Sequence, residues 1–145
     1  MDIRLVTNEN SILLSKLNYL GEYIFAFDSW GYKNIIESKL NILSWRKPYQ
    51  FKFFVYVHPD MPISDTINRI NLLRKHKCLP YIMRHLDCFA SEEYSNFYTD
   101  LAAYCNQPNI FKKMDFPAFI MKRTKNKKRI ADTLSILSKN NLALI

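Results

Sequence analysis

Glycine is almost missing from this sequence: Gly21 and Gly31 are the only two among 145 residues. Without a glycine-rich turn the backbone cannot approach a phosphate closely. The Walker loop and the dinucleotide fingerprint are therefore absent, and nucleotide binding by those routes is excluded. Cysteine is sparse as well. Cys78, Cys88 and Cys105 are odd in number and widely spaced, which fits neither a disulfide framework nor paired metal ligands, so reduced thiols are expected. No apolar run approaches the roughly 20 residues of a membrane span. Met1-Asp2-Ile3-Arg4 lacks the apolar core of a signal peptide. The chain reads as cytoplasmic.

Acidic residues are the minority sign, 13 against 21 Lys and Arg, for a formal charge of +8. The excess is local. Between residues 112 and 129 stand Lys112, Lys113, Lys122, Arg123, Lys125, Lys127, Lys128 and Arg129 against Asp115, which is 8 − 1 = +7. The rest of the chain is close to neutral, so the basic character belongs to a C-terminal segment. A hydrophobic content of 48% is enough to fill the core of one domain and argues against disorder.

The stretch from Phe51 to Ser64 organises the rest. Phe51, Phe53, Phe54, Val55, Tyr56 and Val57 form a near-continuous apolar run, the pattern of a central strand in a parallel sheet. Pro59 and Pro62 end it, and Ser64 can cap a helix from Asp65 to about His76. In that helix Ile67, Ile70, Leu72 and Leu73 point inward, with Arg69, Arg74 and Lys75 on the solvent side.

The same rhythm recurs along the chain. Ile3, Leu5 and Val6 predict a first strand, with Thr7-Asn8 capping a helix over 9–18 whose core stripe is Ile12, Leu13, Leu17, Tyr19 and Leu20. Tyr23 to Phe27 predicts a second strand, and 30–45 an amphipathic crossover helix. Leu79 to Met83 predicts a fourth strand. Ser91 with Glu92 and Glu93 predicts a helix start that Pro108 closes. The expected fold is therefore α/β, a four-stranded mostly parallel sheet of βα units over 1–111. A basic segment and C-terminal helix over 112–145 read as an appended extension.

In a parallel sheet ligands bind beyond the strands' carboxyl ends. This singles out Thr7, Asp28, Tyr56, His58 with Asp60, and Arg84 with His85. Thr7 and Asp60 are better explained as capping and loop residues. Asp28 and Arg84 follow very apolar strands, where a charge needs a partner or a ligand. His85, Asp87 and Cys88 together with His58 carry metal-ligating atoms, but none of the spacings of a structural zinc site appears. The sequence reading is no metal site. Lys125, Lys127, Lys128 and Arg129 are candidate polyanion contacts.

Residues 3–120 resemble the second half of the radical S-adenosylmethionine (radical SAM) core. The resemblance rests on Ile-Arg-Leu-Val-Thr-Asn-Glu at 3–9, Ile-Phe-Ala-Phe-Asp at 24–28, Phe-Phe-Val-Tyr-Val at 53–57 and Asp-Thr-Ile-Asn-Arg-Ile-Asn-Leu-Leu-Arg at 65–74. It continues with Pro-Tyr-Ile-Met-Arg at 80–84, Asn-Ile-Phe-Lys-Lys at 109–113 and Phe-Pro-Ala-Phe at 116–119. It implies a (βα) partial barrel of which this chain holds the later strands, with Asp28 and His58 bordering an S-adenosylmethionine pocket and Arg84 at its far side. The C-x3-C-x2-C loop that holds the family's 4Fe–4S cluster has no counterpart, and His58-Pro59 stands where the family often has glycine. The expectation is a truncated or split radical-SAM-like protein, not catalytic alone and without a cofactor of its own. S-adenosylmethionine and the cluster would enter only on completion by an N-terminal half-barrel. Self-association through the Ile3–Val6 edge is the other expected partnership. A binding module whose basic segment contacts nucleic acid or another polyanion is the alternative.

Overall fold

A computed structural model describes residues 1–144. Three parallel strands form the sheet in the order β1-β2-β3: β1 (Tyr23–Ala26), β2 (Phe51–Val57) and β3 (Leu79–Arg84). The helices are α1 (Asn8–Lys16), α2 (Lys33–Ile42), α3 (Ile63–Lys75), α4 (Asp87–Ala90), α5 (Ser95–Cys105), α6 (Pro108–Lys113), α7 (Phe116–Arg123) and α8 (Lys127–Lys139). No helix among the described residues is long and apolar enough to cross a membrane.

The sheet has three strands, not four. Ile3–Leu5 is a single 3-10 turn, with Asp2 capping the Arg4 amide and pairing with the Arg4 guanidinium. Ile3 and Val6 are buried while Arg4 and Leu5 face out. That three-residue period belongs to a 3-10 turn, where i and i+3 eclipse, and not to a strand with its period of two. The helix over 9–18 is also turned differently from its expected stripe. Ile12, Leu13, Leu17, Tyr19 and Leu20 are exposed, and Ser11 is the buried residue of α1. Ser11 donates to the Ile42 carbonyl and accepts from the Trp45 indole, which docks α1 by its polar side.

Register decides which sheet face is covered. Phe25 pairs with Phe53 and Phe53 with Pro80; Val55 pairs with Ile82. In-register neighbours of a parallel sheet share a face. This face joins one core with Ile36 and Leu40 of α2, Ile67, Ile70 and Leu73 of α3, and Phe97 and Leu101 of α5. The opposite face carries Ile24, Ala26, Lys52, Phe54, Tyr56, Leu79, Tyr81 and Met83; Leu79 is buried at its lower end and Lys52 and Phe54 are half-buried, while the rest of it is open among the described residues. Ile24, Tyr56, Tyr81 and Met83 are 38–45% exposed, and the Phe54 and Tyr81 rings meet at a tilt of 58° with centroids 5.6 Å apart. At the outer edge of β3 the Asn106 side chain takes the place of a further strand, accepting from the Ile82 amide at 2.6 Å and donating to the Ile82 carbonyl at 3.2 Å. At the β1 edge the Met1 amino group donates to the Ile24 carbonyl, and no strand among the described residues pairs there.

Two side chains expected in solvent are structural. Arg69 is fully buried and Arg74 is partly buried, its guanidinium donating to Tyr104 Oη and to the Phe111 carbonyl. Nor is the C-terminal region an appended extension. Phe111, Phe116, Phe119, Ile120, Ile136 and Leu137 belong to the same core as the sheet, because the Lys and Arg residues of α6–α8 alternate with an apolar stripe at helical spacing. Local boundaries shift too. Pro62, not Ser64, precedes the first residue of α3, and α5 begins at Ser95, the Ser91 hydroxyl accepting from the Tyr94 amide just before it.

Candidate functional site

Beyond the carboxyl ends of the strands the chain makes three tight exits, and these place the candidate residues. Strand alternation carries Asp28 and His58 to the uncovered side of the sheet, in line with Ala26 and Tyr56. His85 continues the same side after Met83, its ring 6.3 Å from that of Tyr56. Arg84 goes the other way. Its guanidinium donates to the Thr99 hydroxyl at 3.1 Å and lies 4.3 Å above Phe89, on the helical side. Asp28, His58 and Arg84 therefore do not converge. Thr7 sits apart from the rim and caps α1 in a reciprocal pair with Asn10.

Asp28 is exposed and borders a cleft of about 270 Å³ shared with Met1, Asp2, Arg4, Ala26 and Tyr32. Arg4 is held there by Asp2, which is drawn down to about 2 by that guanidinium. Beneath the rim, Arg69 ties two strand ends together. Its Nη1 donates to the Phe27 carbonyl at 2.7 Å and the Tyr56 carbonyl at 3.0 Å, its Nη2 to the Thr66 hydroxyl at 3.3 Å, and its Nε lies 2.6 Å from Asp65. Burial lowers its pKa and the Asp65 carboxylate opposes that shift. Asp65 also accepts from the Trp30 amide, so the β1 and β2 exits are held in a fixed relation.

At the β2 and β3 exits, His58, His85 and Asp87 converge, their ligand atoms all within 4.8 Å of one another. His58 Nε2 is 3.2 Å and His85 Nδ1 is 3.4 Å from Asp87 Oδ2. The two imidazoles lie 4.5 Å apart, centroid to centroid. Asp60 Oδ2 stands 3.6 Å from His58 Nδ1, the ring atom that also accepts from the Asp60 amide at 3.1 Å. The His85 amide donates to the Val57 carbonyl at 3.0 Å, which prolongs the sheet by one bond and brings the two loops together. The neighbouring Cys88 is buried, its thiol donating to the Val57 carbonyl at 3.5 Å. Asp87 stood outside the strand-end set in the sequence reading, which named it with His58, His85 and Cys88 only as a group of ligating atoms without zinc-site spacing. The available signal was its position two residues after His85, where an i, i+2 pair leaving a strand can turn back on itself.

The three thiols are buried at three separate places, just before β3, in α4 and at the end of α5. Burial pushes each of their pKa values up. They do not fit an iron–sulfur cluster, which needs thiolates converging on one place. In the basic segment Lys125, Lys127 and Lys128 are exposed, whereas Arg129 and Arg123 reach inward to Asp100.

In comparisons with known proteins, no family model, curated protein or solved structure matches this chain.

Proposed function

We propose that this chain is the ligand-facing C-terminal half of a radical-SAM-like (βα) barrel, not catalytic alone and completed by a cluster-bearing half. The observation that carries the reading is the bare sheet face. Parallel sheets are covered on both faces in nearly all proteins, yet Ile24, Tyr56, Tyr81 and Met83 lie open here around a half-buried Phe54. In a barrel such side chains point to the interior and pack against those of the other strands. The occupant we assign is a further set of βα units. Its last strand pairs with the outer edge of β1, taking the place of the Met1 amino group at the Ile24 carbonyl, and its inner side chains close over Phe54 and Tyr81. Exposed Met1, Leu17 and Tyr19 next to Ile24 extend the apolar border on that side.

In this arrangement Asp28 and His58 face the enclosed space from the strand ends, and the cleft beside Asp28 suits the ammonium and hydroxyl groups of S-adenosylmethionine. The cluster belongs to the other half, because the thiols here do not fit it. The remaining reading is a small α/β binding module with a polyanion contact. The exposure of Lys125, Lys127 and Lys128 favours it and the engagement of Arg129 weighs against it.

Sedimentation equilibrium on the chain, with calorimetry against S-adenosylmethionine, tests the proposal. Concentration-dependent association is expected, weakened at least about tenfold by Phe54→Glu with Tyr81→Glu and without a fall in Tm, since neither side chain is in the covered core. S-adenosylmethionine binding is expected to be weak and lost in Asp28→Ala. A monomer at high concentration that takes up no S-adenosylmethionine overturns the reading.

A further inference from the structure

We infer that His58, His85 and Asp87 form a binding site for a divalent transition-metal ion of the zinc class at the carboxyl rim of β2 and β3. All three residues come from this chain, so the site needs no second half and stands or falls independently of the barrel reading. The first argument is spacing. Tetrahedral coordination with bonds of roughly 2.0–2.1 Å puts neighbouring ligand atoms about 3.3 Å apart. The Asp87 Oδ2 separations from His58 Nε2 and His85 Nδ1 are 3.2 and 3.4 Å.

The second argument concerns lone pairs. His85 Nδ1 accepts from the Asp87 amide at 3.2 Å, so in a neutral ring that atom carries no proton, yet it also faces a carboxylate oxygen. Two acceptors turned toward each other need a positive charge between or upon them. A metal ion supplies it and takes both lone pairs, the amide contact giving way. For His58 the corresponding outer partner is Asp60. His58 Nδ1 likewise accepts from an amide, that of Asp60, and stands 3.6 Å from Asp60 Oδ2; taking the ion on Nε2 moves the ring proton to Nδ1, where Asp60 Oδ2 replaces the amide as partner, the carboxylate–histidine–metal order that fixes ring orientation in metal sites.

The donor set selects the ion. Two imidazoles and one carboxylate suit Zn²⁺, Co²⁺ or Fe²⁺ and not Ca²⁺ or Mg²⁺, which prefer all-oxygen shells. Cys88 contributes no fourth ligand, because its thiol is buried and turned to the Val57 carbonyl. Three protein ligands leave one position open, as in catalytic and not structural zinc sites. Asp87 is exposed and His85 half-buried at this rim, so water or an oxygen of a bound ligand can reach the open position.

The chain has three histidines, and the third, His76, is engaged with Glu37 at 3.1 Å. This provides an internal control. Zinc titration followed by nitrogen-resolved NMR of the imidazoles is expected to shift or broaden the His58 and His85 ring signals in the wild-type chain and leave those of His76 unchanged. Calorimetry with Zn²⁺ and absorption spectra with Co²⁺ are expected to show saturable one-to-one binding. That binding should be abolished in His58→Gln and His85→Gln and weakened about tenfold in Asp60→Asn. Circular dichroism establishes that each variant is folded. If no imidazole responds, if all three respond alike, or if binding survives both glutamine variants, there is no such site.

Discussion

Arg129 Nη2 lies 2.6 Å from Asp100 Oδ1. This contact turns a residue of the basic run into a clamp between α8 and α5. Arg129 Nε also reaches Oδ2 at 3.2 Å, Arg123 Nε reaches Oδ1 at 2.9 Å and the Thr133 hydroxyl donates to Oδ2 at 3.3 Å, around a carboxylate with no solvent exposure. The partners are unequal, because both arginine side chains are about one-third exposed and can swing into water whereas Asp100 cannot.

The clamp therefore predicts an asymmetry in stability. Arg123→Met with Arg129→Met strands a buried charge and is expected to cost about 3–5 kcal/mol. Arg129→Met alone keeps Arg123 and is expected to cost roughly 1–2 kcal/mol, and Asp100→Asn less than the double change. Urea unfolding measures all three. Equal losses for Asp100→Asn and the double variant would show that the carboxylate is reached by water.

Arg69 offers a second stability test. It satisfies the carbonyls of Phe27 and Tyr56 and the carboxylate of Asp65 from a fully buried position. Arg69→Met leaves the Phe27 and Tyr56 carbonyls without this donor and removes the cation from Asp65, which keeps only the Trp30 amide, and is expected to cost about 3 kcal/mol or more. Lysine cannot reproduce a fork that meets three groups, so Arg69→Lys should recover little of the loss. Near wild-type stability for Arg69→Lys, measured by thermal unfolding, would contradict the geometry.

The thiols should be silent in the folded chain. Cys78, Cys88 and Cys105 are buried with raised pKa values, and it is the thiolate that reacts. Titration with a disulfide reagent at neutral pH is expected to modify them only slowly without denaturant and all three in it. Anaerobic addition of iron and sulfide is expected to give no stoichiometric 4Fe–4S absorbance. Rapid native modification, or a cluster band lost on replacing Cys88, would sink this.

For the basic segment at the start of α8, retention on heparin is expected to weaken steeply with salt and to fall in the Lys125→Ala, Lys127→Ala, Lys128→Ala variant, since these lysines are exposed. Arg129→Ala should act through stability and not through the salt slope. Unchanged retention in the triple variant would leave these lysines as a solvated helix start.

The two central βα units were legible because their signals are local. The Phe51–Val57 run followed by Pro59 and Pro62 is a buried strand and its stop in almost any surroundings, and Tyr23–Ala26 and Leu79–Arg84 repeat the pattern. Ile3–Val6 misled because four residues with three apolar side chains fit a period of three as well as a period of two, and only packing against the rest of the chain selects between them. Helix α1 misled for a related reason. An apolar stripe marks a face that wants covering, but it does not say that the same chain covers it.

By itself the sequence determined the alternation of strands and helices, the absence of glycine-rich phosphate loops and of a three-cysteine cluster loop, and the place of Asp28 and His58 at strand ends. These follow from short-range rules of hydrophobic period, proline geometry and spacing. Only the tertiary structure decided that Arg69 is buried, that Arg129 serves Asp100 and that one sheet face is bare. It alone brought His85 and Asp87 to His58. That meeting depends on the parallel register that sets Val57 beside Arg84, a relation between distant segments fixed by how the strands pack and not by any residue's neighbours in the chain.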